Sequence, residues 1–174
     1  RGQGEGRGGA EPGGAAARRG KRGRMIESPA EREERRLDMF RAAALAGLQL
    51  LAGGVDLAGV NVMTMDYGQS RSEGQSMAAA SQSALNNTHR QLGILYERAG
   101  ILLNSLTIWS KLGATPMIGQ NDVKEEIFTH EDAKSLNDFA HSRGIGRMSM
   151  WSANRDIACG SNYVDTTIVS DSCS

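Results

Sequence analysis

The segment that decides the fold is GVNVMTMDYG, residues 59 to 68. It is rich in β-branched and methionine side chains, it is closed by Tyr67-Gly68, and it is too short for a helix. We therefore predict a buried parallel strand that carries Asp66 at its carboxyl end. In α/β enzymes the chemistry lies at the carboxyl ends of parallel strands, although many buried strands simply end in a capping aspartate.

Apolar residues at spacings of three and four predict three helices along the chain. A glycine follows the end of each helix, and a capping box, Thr129 to Asp132, opens the third. The predicted helices occupy residues 29 to 52, 76 to 99 and 129 to 143.

Two further strands are predicted at residues 112 to 118 and 145 to 151. Pro116 lacks a backbone donor, so it should lie near the end of its strand. The apolar run at residues 101 to 106 is expected to pack beneath the sheet. The order strand, helix, strand, helix, strand at these spacings implies parallel pairing, which would bring the carboxyl ends of the three strands to one edge.

Length and charge distribution indicate a leader joined to one folded domain. A chain of 174 residues allows a domain with a core, but it is short of the roughly 250 residues of a complete (β/α)8 barrel. The formal net charge is zero, yet residues 1 to 36 contain 10 Lys and Arg against 6 Asp and Glu. Residues 1 to 28 are predicted to be a disordered Gly/Arg-rich leader, residues 29 to 158 the folded domain, and residues 159 to 174 a polar tail.

An RGG-type nucleic-acid arm is the alternative for the leader, because Arg7-Gly8-Gly9 and the basic run at residues 21 to 24 combine guanidinium groups with glycine. Aromatic residues on which bases would stack are absent from this stretch, and one such triplet is not a repeat. A passive leader without a nucleic-acid partner is the preferred interpretation. No apolar run of 18 or more residues is present, so no membrane contact is predicted.

Several common chemistries have no motif in this sequence. His89, His130 and His141 lack metal-ligand spacing, and no cysteine pair fits zinc. There is no P-loop, no G-x-G-x-x-G after a strand and no G-x-S-x-G elbow. We therefore expect neither a metal nor a cofactor. Cys159 and Cys173 either form a disulfide in an oxidising compartment or remain free thiols, and the sequence does not choose between them.

The side chains at or just after the predicted strand ends suit a carbohydrate. A sugar ring offers an apolar face to an aromatic side chain and a rim of hydroxyls to carboxylates and amides. Trp151 is equally well interpreted as that aromatic surface or as a plug in the core. The candidates at this edge are Asp66, Tyr67, Gln120, Asn121, Asp122, Trp151, Asn154 and Arg155.

Three segments, in this order and at these separations, resemble the last three strands of a bacterial-type glycoside hydrolase family 18 chitinase. They are VMTMDYG at residues 62 to 68, GATPMIGQNDV at 113 to 123 and MSMWSANRD at 148 to 156. The resemblance runs from about Val55 to about Cys159 and implies an α/β fold, a partial TIM (β/α)8 barrel that contains roughly strands six to eight. The activity it implies is chitin catabolism in an extracellular enzyme, which hydrolyses β-1,4-linked N-acetylglucosamine by a substrate-assisted retaining mechanism.

The resemblance also implies roles for individual residues. Asp66 matches a carboxylate that orients the acetamido group, and Trp151 matches an indole beneath the sugar at the cleavage site. Met63 and Met65 match strand positions that face the barrel interior. Many family members have Tyr in place of Met65, so Tyr67 is a candidate replacement. The remaining candidates for substrate binding are Asn121, Asp122 and Asn154.

The catalytic signature of the family, D-x-x-D-x-D-x-E, occurs nowhere in the chain. The chain therefore resembles the carboxyl-terminal part of a chitinase, and it is predicted to be inactive alone because general-acid catalysis contributes about 10² to 10⁴-fold. The alternative is a non-catalytic chitin-binding or other carbohydrate-binding barrel protein, since the family includes members that have lost the acid. Chitin or N-acetylglucosamine oligosaccharides are the expected partner in both cases, and the sequence leaves the oligomeric state open.

Overall fold

The computed structural model describes residues 45 to 159 and Cys173 of the 174-residue chain. The chain divides into two units, Arg1–Ala42 and Ala43–Ser174, and all described residues belong to the second. The predicted leader at residues 1 to 28, most of the first predicted helix and most of the predicted tail lie outside the described residues.

Three parallel strands form the central sheet. In chain order the strands are β1 (Val60–Met63), β2 (Leu112–Thr115), β3 (Gly119–Gln120), β4 (Ile127–Phe128) and β5 (Arg147–Met148). The central sheet has the order β1-β2-β5, and both of its pairings are parallel. A further parallel bridge joins Met117 to Trp151 just beyond the strand ends. The predicted parallel pairing is confirmed, and Pro116 follows the last residue of β2 as expected.

Helices alternate with these strands. Within the described residues they are α1 (residues 45 to 52), α2 (Met77–Arg98), α3 (Ser105–Ser110) and α4 (His130–Arg143). The predicted capping box is confirmed, since Thr129 Oγ1 accepts from the Asp132 N–H while the Asp132 carboxylate accepts from the Thr129 N–H. Gly144 ends α4 with a φ of 71°, a left-handed conformation that glycine adopts without steric cost. None of the helices described has the length and apolar character needed to cross a membrane.

The apolar run at residues 101 to 106 is largely exposed, so that expectation was mostly wrong, although Leu103 packs against the core. Leu102 is 85% exposed and Leu106 is 73% exposed. Asn104 caps α3 with its side chain, which fixes where the helix begins and therefore which of its residues face inward. The residues of α3 that reach the core come one turn later, and Trp109 is the largest of them.

The helices cover one face of the central sheet. Leu112 and Ala114 of β2 are fully buried on that face. Since alternate residues of a strand point to opposite faces, Gly113 and Thr115 belong to the other one. The core cluster beside Leu112 and Ala114 includes Leu51, Leu85, Leu92, Tyr96, Ile108, Trp109, Phe128 and Leu136.

The opposite face of the sheet is polar. Asn61 Nδ2 donates to Thr115 Oγ1 at 2.7 Å, and Thr115 Oγ1 lies 2.7 Å from Ser149 Oγ, so one hydrogen-bonded row runs from β1 across β2 to the residue that follows β5. Arg147 passes over Gly113, where a Cβ would lie 2.4 Å from the arginine Cγ, and only glycine leaves room for it. The described strands form an open sheet with helices on one side, and they do not close into a barrel.

A short antiparallel hairpin, made by β3 and β4, lies in the chain between β2 and α4 and was not predicted. Its connection, residues 121 to 126, is called the hairpin loop below. The fully buried Arg155 clamps the hairpin, because its guanidinium donates to the carbonyl oxygens of Ile118 at 3.0 Å and Gln120 at 2.6 Å.

Cys159 and Cys173 are joined by a disulfide. The structure thus chooses between the two states that the sequence left open. The two cysteines are 14 residues apart, and closing a loop of that size stabilises a fold by about 3 kcal/mol in the chain-entropy model.

Candidate functional site

A cleft opens at the carboxyl end of the central sheet, and its volume is about 280 Å³. Two carboxylates, one indole and three thioether side chains form its walls. They belong to Met63, Met65, Asp66, Met117, Asp122 and Trp151. All but Met117 are candidates predicted from the sequence, and the cleft is where the structure brings them together.

Asp66 lies at the cleft in a conformation that few non-glycine residues adopt. Its φ of 51° falls in the left-handed region, which aspartate tolerates better than most residues. Two hydrogen bonds hold it there: Asp66 Oδ1 accepts from the Asp122 N–H at 2.9 Å, and the Asp66 N–H donates to Asn121 Oδ1 at 3.3 Å. The Asp66 side chain is exposed, so its carboxylate is accessible to a ligand.

Trp151 forms a wall of the cleft and is not a plug in the core. Its side chain is 49% exposed, whereas the other tryptophan, Trp109, is 5% exposed and stacks on His89 with ring centroids 4.2 Å apart. The backbone of Trp151 is fixed on both sides, because its N–H donates to Pro116 O at 2.8 Å and its carbonyl accepts from the Ile118 N–H at 3.0 Å. An exposed indole on a fixed backbone offers a surface on which an apolar ring face can stack.

The three methionines differ in exposure. Met63 is 56% exposed at the end of β1, while Met117 is buried beneath the cleft beside Trp151. Sequence reasoning missed Met117 because a methionine inside an apolar strand segment normally predicts the core. Met65, at the position where many family members have Tyr, offers a thioether and therefore no hydroxyl donor.

Asn121, which was predicted to bind substrate, has a structural role in this fold. Its side chain is fully buried. Nδ2 donates to Met117 O at 2.9 Å and Gly119 O at 3.1 Å, while Oδ1 accepts from Asp66. The amide is thus surrounded by backbone and has no surface for a sugar, so its contribution is to hold Asp66.

Tyr67, which was predicted to be a catalytic residue, points away from the cleft. Its hydroxyl donates to Ser81 Oγ at 3.2 Å, and Ser81 in turn donates to Met77 O in the first turn of α2. Burial raises the pKa of Tyr67 to about 12, with the Ser81 hydrogen bond lowering it and the charge of Glu126 raising it. The Tyr67 hydroxyl therefore faces α2 and not the cleft.

The other candidates near Trp151 lie outside the cleft walls. Asn154 belongs to a short 3-10 helix, Ala153–Arg155, and its Oδ1 accepts from Ser152 Oγ. Arg155 is buried beneath the hairpin, as described above. Gln120 Nε2 donates to backbone carbonyls of the hairpin loop, including Lys124 O at 2.9 Å. The amide of Gln120 and the guanidinium of Arg155 therefore shape the loop that carries Asp122.

Glu126 is a residue of this region that sequence reasoning missed. It is 1% exposed, and its carboxylate accepts from the Tyr67 N–H at 2.9 Å and the Gly68 N–H at 2.8 Å. Arg71 Nε lies 3.7 Å from the same carboxylate. The sequence gives no sign of this role, because a glutamate in the run Lys124-Glu125-Glu126 is normally a solvated surface residue.

The cleft walls contain two acids and no basic side chain, so they present hydrogen-bond acceptors beside apolar surface. A ligand that combines N–H and O–H donors with an apolar ring face fits such walls. Within residues 45 to 159, no group of three or more His, Cys, Asp or Glu side chains is arranged to hold a metal ion. The described part of the chain is an α/β fold with a cleft at the carboxyl ends of its parallel strands, the edge at which α/β proteins commonly bind ligands.

Comparison with known proteins identifies relatives within that class. The chain is 40% identical over 117 residues to a probable bifunctional chitinase/lysozyme of Escherichia coli strain K12, and 39% identical over 112 residues to endochitinase 11 of Metarhizium anisopliae. The catalytic domain of a hyperthermophilic chitinase from Pyrococcus furiosus matches 69% of the chain with a TM-score of 0.57 and 34% identity. Catalytic-site mutants of active domain 2 of a thermostable chitinase from the same organism, complexed with chito-oligosaccharides, match 72% with a TM-score of 0.60 and 32% identity.

The chain is related to chitinases in sequence and in fold, which confirms the resemblance to chitinase-type glycoside hydrolases. It spans 13% and 21% of the length of the two curated relatives, and 37% and 39% of the two solved chains. No protein-family model matches it. The relationship therefore concerns one part of a chitinase.

Proposed function

We propose that this chain forms a substrate-contacting part of a chitinase-type glycoside hydrolase that acts on β-1,4-linked N-acetylglucosamine. The observation that carries the proposal is the cleft in which Asp66 and Trp151 lie together, brought there by the first and last strands of the central sheet. The relationship to chitinases supports the same conclusion, because the chain is 40% identical over 117 residues to a probable chitinase/lysozyme and a chitinase catalytic domain matches 69% of it.

In the proposed mechanism Asp66 orients the acetamido group of the substrate. An acetamido N–H is a donor, and a carboxylate is an acceptor. A hydrogen bond between them turns the acetamido carbonyl oxygen toward the anomeric carbon, and that oxygen is the nucleophile in substrate-assisted hydrolysis. Holding the reacting atoms in this geometry lowers the entropic part of the activation barrier.

The proposed role of Trp151 is to support the sugar ring from below. Its exposed indole stacks against the C–H face of the ring, and the thioethers of Met63 and Met65 extend the apolar surface. Asp122 would accept from a sugar hydroxyl at the rim. Asn154, which lies outside the cleft walls, would contact only a sugar unit further along the oligosaccharide.

We further propose that the central sheet corresponds to strands six to eight of a (β/α)8 barrel. Three parallel strands with helices on one face only support this assignment. In a barrel, every second residue of each strand faces the interior. The side chains of Asn61, Thr115 and Ser149 would face that interior, with Met63 and the cleft above them.

A non-catalytic chitin-binding protein is the second candidate, and the observation that favours it is the absence of D-x-x-D-x-D-x-E from these 174 residues. Both candidates require the same cleft, so binding alone does not separate them. The coding DNA upstream of Arg1 does: a D-x-x-D-x-D-x-E motif with its glutamate favours the hydrolase, and the same motif with the glutamate replaced favours the binder.

We also propose that the protein works outside the cell or in another oxidising compartment. The disulfide between Cys159 and Cys173 supports this, because disulfides persist where thiols are not kept reduced.

Calorimetric titration of the 174-residue chain with chitotetraose and with cellotetraose tests the proposed function. Cellotetraose has the same β-1,4 linkage but a hydroxyl in place of each acetamido group, so only chitotetraose is expected to bind. Equal affinity for both sugars contradicts the role of Asp66, and binding of neither contradicts the carbohydrate site. The chain alone should release no shorter sugars from chitotetraose, because it lacks the acid motif.

A further inference from the structure

Glu126 has a buried carboxylate that the proposed mechanism does not use. The residue is 1% exposed. Its two oxygens accept from the backbone N–H groups of Tyr67 and Gly68 at 2.9 and 2.8 Å, and Arg71 Nε lies 3.7 Å away. A buried carboxylate is tolerated only where it is hydrogen-bonded or paired. All of these partners belong to one short segment, residues 67 to 71.

That segment begins directly after Asp66, so Glu126 holds the loop that carries the cleft carboxylate. Asp66 contacts the same hairpin loop through Asn121 Oδ1 and through the Asp122 N–H. Four hydrogen bonds therefore connect residues 66 to 68 with the hairpin loop. The left-handed backbone of Asp66 needs such support, because a non-glycine residue keeps this conformation only when its surroundings fix it.

We propose that Glu126 is a positioning residue, which fixes the turn at Asp66 and thereby the direction of the Asp66 carboxylate in the cleft. The significance of that direction for sugar binding rests on the proposed function. The role of Glu126 in holding Asp66 does not rest on the proposed function, because it follows from hydrogen bonds within the chain.

The variant Glu126→Gln separates this role from packing. The amide has nearly the size and shape of the carboxylate, but it offers one acceptor oxygen instead of two and places an NH2 group where the other oxygen was. That NH2 group faces either the Tyr67 N–H or the Gly68 N–H, so one donor loses its partner. The ion pair with Arg71 is lost as well.

The matched control is Asp132→Asn. Asp132 is also buried, at 7% exposure, and its carboxylate also accepts from two backbone N–H groups, those of Ala78 at 2.8 Å and Thr129 at 3.0 Å. These hydrogen bonds join the beginnings of α2 and α4. Asp132→Asn therefore also removes one carboxylate oxygen that accepts a backbone hydrogen bond, but at a site that does not hold the Asp66 loop. It should lower the free energy of unfolding and leave the cleft intact.

The first measurement needs no ligand. In ¹H–¹⁵N spectra of the 174-residue chain, the amide of Asp122 reports on its hydrogen bond to Asp66 Oδ1. Glu126→Gln should move this resonance toward its position in Asp66→Ala, in which the acceptor is gone, and Asp132→Asn should leave it in place. An unchanged Asp122 resonance in Glu126→Gln overturns the proposal, whatever the chain binds.

The second measurement compares the affinity for chitotetraose of the wild type, Glu126→Gln, Asp66→Ala and the double variant. If Glu126 acts through Asp66, Glu126→Gln weakens binding about 5- to 10-fold in the wild type and has no effect in the Asp66→Ala background. Equal losses in both backgrounds overturn the proposal. If the wild type itself does not bind chitotetraose, the proposed function fails, while the Asp122 resonance still decides the role of Glu126.

Discussion

Asp66 and Asp122 are joined by a hydrogen bond in which the Asp122 N–H donates to Asp66 Oδ1 at 2.9 Å. This contact ties the end of β1 to the hairpin loop, although the two residues are 56 positions apart in the sequence. Both side chains line the same cleft. The orientation of one acid thus depends on the backbone of the other, which makes Asp66 the first residue to test.

Replacing Asp66 by alanine should weaken the binding of chitotetraose about 10-fold or more, because a hydrogen bond to a charged group contributes roughly 1.5 to 3 kcal/mol. Asp66→Asn should weaken the binding of chitotetraose less than Asp66→Ala does, since its amide oxygen can still accept from the Asp122 N–H. Calorimetry measures both affinities. The control is Asp138→Ala, which removes an exposed acid paired with Lys134 on α4 and should leave binding unchanged. A comparable loss of affinity in Asp138→Ala means that the net charge of the protein, and not the orientation of the acetamido group by Asp66, explains the result.

Replacing Trp151 by alanine should remove most of the affinity for chitotetraose, about 10-fold or more, because the stacking surface is lost. The neighbouring Met150→Ala is the matched control, since Met150 is 45% exposed, close to the 49% of Trp151, but is not a cleft wall. Both variants should keep nearly the wild-type free energy of unfolding, as measured in denaturant. Similar losses of affinity in the two variants argue against a specific sugar platform.

Tyr67→Phe should lower the free energy of unfolding by about 1 kcal/mol, because the hydrogen bond to Ser81 is lost. The affinity for chitotetraose should not change, since the hydroxyl points toward α2. Denaturant unfolding and calorimetry measure the two quantities on one preparation. A large loss of affinity with an unchanged free energy of unfolding contradicts this prediction and indicates that Tyr67 contacts the substrate.

The raised pKa of Tyr67 predicts a specific dependence of stability on pH. Burial, which outweighs the effect of the hydrogen bond that Tyr67 donates to Ser81, raises this pKa from 10.0 to about 12. The folded state therefore holds the proton more tightly than the unfolded state, so the stabilisation is complete below about pH 10 and is lost as pH rises through about 12. Across this interval the unfolding midpoint of the wild type should fall more steeply than that of Tyr67→Phe. If the unfolding midpoints of the wild type and Tyr67→Phe fall in parallel as the pH rises, Tyr67 is not the source of the pH dependence.

Gly146→Ala should destabilise the fold by about 1 to 3 kcal/mol, because an added methyl group in a packed site forces the backbone to move. A Cβ at this position would lie 1.9 Å from the carbonyl oxygen of Ser110, which belongs to the backbone of α3 and has no rotamer to change. Gly47→Ala is the control with the opposite sign. Its Cβ meets only Leu95 Cδ1 at an ordinary 3.5 Å, and alanine favours a helix over glycine by about 1 kcal/mol. Loss of stability in both variants contradicts the close approach at Gly146.

The elements that the sequence predicted are those determined by neighbours along the chain. The capping box of α4 needs only Thr129 and Asp132, three residues apart, and it is present. The parallel strands were predictable because their apolar runs are bounded by glycine and polar residues. The hairpin of β3 and β4 was missed because strands of two residues have no detectable period.

The details of the site that the sequence missed are those determined by distant partners. Tyr67 was placed in the site by its position after a strand, but its direction depends on Ser81 in α2. Asn121 was a candidate because it follows a strand, but its burial depends on the fold of the hairpin and on Asp66. For Glu126, the charged run around it is typical of an exposed segment, and its burial depends on the packing of two loops.

The clamp formed by Arg155 has a consequence for the synthesis of the protein on the ribosome. Domains begin to fold as they emerge, from the amino terminus onward. The carbonyl groups of Ile118 and Gln120 cannot be engaged until the chain has been translated past Arg155. The hairpin that carries Asp122 therefore acquires this anchor only late in translation, whereas its hydrogen bonds to residues 66 to 68 can form earlier. A nascent polypeptide that stalls before this arginine would have its strands but a less firmly held hairpin.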